Sequence, residues 1–148
     1  LEDGRWHAEA EAARKALLDQ PMSDLAGPWL AALHARARKA GKGLDTHGEA
    51  GRERLRRRLR RLRYAAEFFR GLYPPAVVRP YVAALEALLD ALDASHDSSV
   101  AAARLAGLDT AGTRAAAKWL DKRADRRCKA LPDLWAAFKA TPPFWECR

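Results

Sequence analysis

Apolar positions recur along this chain at the three- and four-residue spacing of a helix, and no alternating run is long enough for a strand. Leu55, Leu59, Leu62, Ala66 and Phe69 stay within about 80° of arc when each residue turns 100°. Val78, Val82, Leu85, Leu89 and Leu92 form a second stripe of the same kind. Proline and glycine divide the rest. A first helix is expected from Trp6 to Asp19, stopped by Pro21. Ser23 or Asp24 is expected to cap a second, which runs past Trp29, Leu30 and Leu33 to Gly41 and tolerates Pro28 near its first turn.

Lys42–Gly48 reads as a loop, and a third helix spans Glu49 to Leu72 before Pro74 and Pro75. A fourth starts near Val77. The segment Ser95-His96-Asp97-Ser98-Ser99 either kinks that helix or caps a new one reaching Leu105. A helix from Thr113 to Ala130 and a short one over Leu134–Ala140 follow, with Pro132, Pro142 and Pro143 at the breaks. Alanine, leucine and arginine dominate, and β-branched residues are scarce. The expected fold is therefore all-α: a compact antiparallel helix bundle with short connections, one domain over residues 1–148.

The composition is that of a globular chain. Hydrophobic residues make up 49% of the 148 and charged residues 31%, which supports a real core and excludes a disordered chain. A mean hydropathy of −0.41 and the lack of a long uncharged apolar run exclude a membrane span. Two cysteines, Cys128 and Cys147, are too few for a disulfide framework or a four-cysteine zinc site. They read as free thiols in a reducing compartment. The start at Leu1, without a signal-peptide pattern, is expected of a domain excised from, or preceded by, further chain.

Charge is far from evenly spread. The formal net charge is +8, and two segments hold more than all of it. Residues 52–70 carry 9 arginines against 2 glutamates, and residues 114–129 carry 7 basic against 2 acidic residues. In the first, Arg52, Arg56, Arg60 and Arg63 border the apolar stripe, with Glu67 on the same side. Like charges one turn apart destabilise a helix. Glu53 and Glu67 are the only carboxylates in that segment, so the ladder predicts an anionic ligand. Arginine suits phosphate because its planar fork donates two parallel hydrogen bonds. Lys118, Lys122 and Arg126, continued by Lys129, form a second stripe that reads equally as a solvated face beside Asp121 and Asp125. Arg36 and Lys42, with Arg38 and Lys39, extend a basic rim toward the third helix.

The series Arg56-x-x-x-Arg60-Arg61-Leu62-Arg63-Tyr64-x-x-Glu67-Phe68-Phe69 resembles the CHAD domain, the conserved histidine α-helical domain. Leu92 to Val100 is similar to that family's later Leu-Gly-x-x-x-Asp-x-x-Val segment, and Trp135-x-x-Phe138 with Pro143-Phe144-Trp145 is similar to its end. The resemblance runs from about residue 23 to 145. Glu53 stands where the family has histidine, and Asp93 where it has glycine. The length resembles the C-terminal bundle of a two-bundle module, which implies a homodimer or a second bundle as partner. The resemblance also implies binding of inorganic polyphosphate, association with polyphosphate granules and a cytoplasmic setting. Arg52, Arg56, Arg60, Arg63, Arg36, Lys42, Lys118, Lys122 and Arg126 are the expected polyphosphate contacts.

Nothing in the sequence points to catalysis. His7, His34, His47 and His96 lack metal-binding spacing and read as surface or capping residues. HExxH, GxSxG and a phosphate-binding glycine loop are all absent. Asp90, Asp93 and Asp97 read as an acidic face before a Mg²⁺ site, so no cofactor or metal is expected. The leading expectation is a non-catalytic polyphosphate-binding module. The alternative is a protein that lays the Arg52–Arg63 helix along a nucleic-acid backbone. A phosphohydrolase accessory ranks third.

Overall fold

The computed structural model describes residues 9–15, 21–44, 48–108 and 110–147. Residues 9–15 are helical and are labelled α1. The remaining helices are α2 (Met22–Ala40), α3 (Glu49–Phe69), α4 (Pro75–Ala106), α5 (Ala111–Cys128) and α6 (Leu131–Ala140), with a 3₁₀ turn at Arg70–Leu72. Among the described residues there is no strand, and no helix is long and apolar enough to cross a membrane. The fold is an all-α bundle, as expected. The limits expected of the first helix, Trp6 and Asp19, and the histidines His7 and His47 lie outside the described residues.

Several ends differ from expectation for local reasons. Neither Ser23 nor Asp24 caps α2: Pro21 is the N-cap, and the Ser23 hydroxyl instead donates to the Asp24 carboxylate. Helix α4 begins earlier than Val77 because Pro75 occupies its first turn, where a missing N–H is harmless. Helix α5 likewise begins before Thr113, since Thr110 and Thr113 form a capping box. Gly41 closes α2, and its bare backbone lets the Trp135 indole lie where any Cβ would overlap the ring.

The polar stretch Ser95–Ser99 does not cap a new helix; α4 continues through it to Ala106. The Ser98 hydroxyl donates to the Ala94 carbonyl at 2.8 Å, and Ser95 Oγ lies 3.1 Å from Cys128 Sγ of α5. Both buried hydroxyls are therefore satisfied without breaking the ladder. Before this point α4 buries Val78, Tyr81, Leu85, Leu88, Leu89 and Leu92. Beyond it α4 buries only Ser95, Ser98 and Ala102, and α5 buries only Ala117 and Ala124. Small residues on both sides let these two helices pack closely as an α-hairpin. Cys128 and Cys147 are both free thiols.

The main core lies at the other end. Leu55, Leu59, Leu62, Ala66 and Phe69, the stripe read from the sequence, are all buried there against α2, α4 and α6. Phe138 and Phe144 join Tyr81 in an aromatic cluster at centroid separations of 5.6 and 5.5 Å. His34 is part of that cluster and is not a surface histidine. Its Nδ1 lies 2.8 Å from the Tyr81 hydroxyl, and its ring packs on Phe138 and Trp145. Burial pushes the imidazole below its ordinary value of 6.5, Arg38 adds to this and Glu146 opposes it. The folded chain thus holds His34 neutral, while the unfolded chain takes up a proton near 6.5. This contribution to stability is present above that pH and is lost as pH falls below it. Urea unfolding across that range is expected to show a decline that is shallower in His34→Asn; equal slopes in the two proteins would contradict it.

Candidate functional site

The arginine ladder of α3 turns toward α4. Arg56 forks onto Glu53 one turn earlier, Nε to Oε2 at 2.7 Å and Nη2 to Oε1 at 3.1 Å. Its Nη1 donates to Asp93 Oδ1 of α4 at 2.9 Å, and Arg60 Nη2 donates to the same oxygen at 2.9 Å. Arg57 Nε donates to Glu53 Oε1 at 2.8 Å, Arg63 lies 3.3 Å from Glu67, and His96 Nδ1 sits 3.6 Å from Glu53. Arg52 lines the narrow cleft formed by Glu53, Arg56 and His96. The Arg56 side chain is only 13% exposed. Arg56, Arg60 and Arg63 of the ladder are thus each paired with a carboxylate within the chain, which corrects the inference that a shortage of carboxylates by itself calls for an external anion. The deciding carboxylate, Asp93, belongs to another helix and falls outside any count confined to residues 52–70. Because Asp93 is engaged by two guanidinium groups, it is also a poor start for a cation site with Asp90 and Asp97.

Hydrogen bonds from Arg56 and Arg57 hold the Glu53 carboxyl down at about 2, from an ordinary 4.5. Its contribution to stability is complete above 4.5 and is lost as pH falls from there through about 2. Glu53→Gln is expected to lower unfolding free energy by about 1–3 kcal/mol at neutral pH, since two guanidinium groups lose a charged acceptor. Urea titrations at neutral and acid pH check this: the gap between the two proteins should close in acid, and a gap of constant size would contradict it.

Further cations of α3 that form no ion pair with a described residue lie on its other flank. Leu55 and Leu59 point inward, so the residue after each, Arg56 or Arg60, turns toward α4. The residue before each, Arg54 or Arg58, turns toward α2. There Arg54 and Arg58 face Arg36, Lys39 and Ala40 across a groove of about 590 Å³. None of these four cations forms an ion pair with a described residue. The groove shares Arg54 and Arg58 with a second hollow of about 460 Å³ over the outer surface of α3, which Arg57, Arg61 and the Glu53 carboxylate also border. Arg57, though bonded to Glu53, is 73% exposed. Tyr64, under the Arg63 guanidinium, and Phe68 are exposed farther along the helix.

Of the residues expected from the sequence, the structure puts Arg36 in this groove and Arg52, Arg56, Arg60 and Arg63 on the α4 side. Lys42 lies in a separate hollow of about 440 Å³ with Arg38 and Lys139. Lys118, Lys122 and Arg126 are exposed on α5. Arg54 and Arg58 were missed as site residues, and Lys39 was read only as part of a basic rim. The signal that could have found them is the Arg-Leu-Arg triplet around Leu55 and its echo around Leu59, which puts one arginine on each flank of a buried leucine. A larger cavity of about 680 Å³ by Tyr73 and Val78 is lined by two cations, Arg70 and Arg79, and two carboxylates, Glu67 and Glu86, so its lining charge is balanced and it does not favour a polyanion.

A family model described as CHAD domain matches residues 1–106, ending with the last residue of α4. The match thus begins earlier than the resemblance read from the motifs, and it leaves α5, α6 and the aromatic tail beyond its limit. No curated protein and no solved structure matches the chain.

Proposed function

Since the chain belongs to the CHAD domain family, whose members are associated with polyphosphate binding, we propose that it binds inorganic polyphosphate in the groove between α2 and α3. The observation that carries this reading is the wall of Arg36, Lys39, Arg54 and Arg58 around a space of about 590 Å³, with no carboxylate lining it. A linear polyphosphate laid along the groove neutralises that wall, and each guanidinium offers two parallel donors to phosphate oxygens. Nothing in the groove measures length, so any chain longer than the groove should bind similarly per occupied site. The ladder at Arg56 and Arg60 serves a different purpose: it ties α3 to α4 on the flank away from the groove. The reading is of a binding module, with no bond-making step assigned to any residue. Association with polyphosphate granules follows from it, and a second copy or a second bundle would extend the basic surface.

Competition decides between this and a nucleic-acid backbone binder. Labelled long-chain polyphosphate is titrated with the protein while unlabelled duplex or single-stranded DNA competes, first at low and then at raised salt. Polyphosphate is expected to win at matched phosphate concentration and to hold at the higher salt. Equal competition by DNA, with both ligands released steeply by salt, would mean a general polyanion surface.

A further inference from the structure

We propose that the outward face of α5 is a separate site for single-stranded nucleic acid, in which a base stacks on Trp119 while Lys118, Lys122 and Arg126 meet the phosphates. Helix α5 is held to the protein by Ala117 and Ala124, its two buried residues. At 100° per residue, Trp119 and Arg126 point almost directly away from them. Trp119 is 57% exposed. Its ring is steadied by the Arg123 guanidinium, 5.3 Å from the ring centroid and one turn along the helix. Packing therefore does not account for a large aromatic side chain at this position.

The charge around it is equally unused by the fold. Lys118, Lys122, Arg123 and Arg126 are all exposed, and none forms an ion pair with a described residue. Asp121 and Asp125 lie on the flank nearer α4 and do not bridge to them. Lys118, Lys122 and Arg126 succeed one another at four-residue steps, roughly 6 Å of helix rise each, beside the indole. An aromatic platform within a line of cations is the combination that holds single strands, because every base has a flat face and every linkage a charge. Bare polyphosphate has no surface to cover an indole. A bilayer would need larger apolar residues than one tryptophan, and the other apolar side chains on this face are alanines, Ala111 and Ala115. Duplex DNA keeps its bases stacked inside. The site uses no residue of the α2–α3 groove, and it lies beyond the residues matched to the family.

Fluorescence anisotropy of the whole chain with a labelled oligothymidylate, set against an abasic strand of equal length, tests this directly. The oligothymidylate should bind more tightly than the abasic strand. Trp119→Ala should weaken the oligothymidylate by about 5- to 150-fold, leave the abasic strand and polyphosphate unchanged, and be partly rescued by Trp119→Phe. Lys122→Ala and Arg126→Ala should weaken both strands, each making the salt dependence shallower by roughly 0.7 in log–log slope. Equal affinity for the two strands, or an oligothymidylate affinity indifferent to Trp119→Ala, overturns the proposal. So does Trp119-dependent binding to phosphatidylserine vesicles without any preference for bases, which would make this a membrane-facing surface. Because polyphosphate is measured in the same variants, loss of this site and loss of the groove are separate results.

Discussion

Replacing Arg36, Arg54 and Arg58 together by alanine is expected to weaken polyphosphate binding by roughly 100- to 1,000-fold while leaving helicity and unfolding temperature close to those of the unmodified chain. A hydrogen bond to a charged group contributes about 1.5–3 kcal/mol, and exposure to salt and water reduces that toward about tenfold per arginine. Arg36 and Arg54 are exposed and Arg58 is half-buried, so none of the three supports the core. The informative control is Arg60→Ala with Arg63→Ala. It removes two positive charges from the same helix, but from side chains already turned to Asp93 and Glu67. That pair should cost less than about tenfold in affinity. Equal losses per charge on both flanks would mean that the protein reads net charge and not the groove.

Phe144→Ala is expected to lower unfolding free energy by about 3–5 kcal/mol, among the largest effects of any single truncation in the chain. Phe144 is fully buried although it follows two prolines in a short tail beyond the last helix. Its ring meets Tyr73 at 5.0 Å, Tyr81 at 5.5 Å and Trp145 at 5.0 Å, so removing it leaves a cavity among side chains that cannot easily collapse. Tyr81 in turn meets His34 on α2, so this tail helps set the position of the helix that forms the groove's other wall. Urea unfolding of the variant checks the size of the effect. A loss below about 1 kcal/mol would show that the tail rests on a bundle that is already complete without it.

What could be read from the sequence follows from what is local. The stripe from Leu55 to Phe69 depends only on helical periodicity, and the whole of it is buried. The concentration of arginine in α3 was equally visible, and so was its likeness to the CHAD pattern. The direction in which each arginine turns was not, because it depends on which neighbouring helix supplies a carboxylate. Glu53 and Asp93, the two positions at which this chain departs from that pattern, are the very residues that hold Arg56 and Arg60. Read singly they look like losses of a histidine and a glycine. Read together in space they are a pair of acceptors facing a ladder of donors. His34 was hidden for a related reason: its aromatic neighbours come from α4, α6 and the tail, far from it in sequence. Within the uninterrupted α4, the buried Ser95 hydroxyl likewise finds its partner in Cys128 of α5, a contact that no window of neighbouring residues contains.

The most direct measurement is a nitrogen–proton correlation spectrum of the arginine Nε groups during titration with short-chain polyphosphate. It observes every guanidinium at once in the unmodified protein. The Nε resonances of Arg36, Arg54 and Arg58 are expected to move together and to saturate with the binding isotherm. Those of Arg56 and Arg60, held by Glu53 and Asp93, should stay in place. Movement confined to Arg56, Arg60 and Arg63, or to the arginines of α5, would contradict the assignment of polyphosphate to the α2–α3 groove.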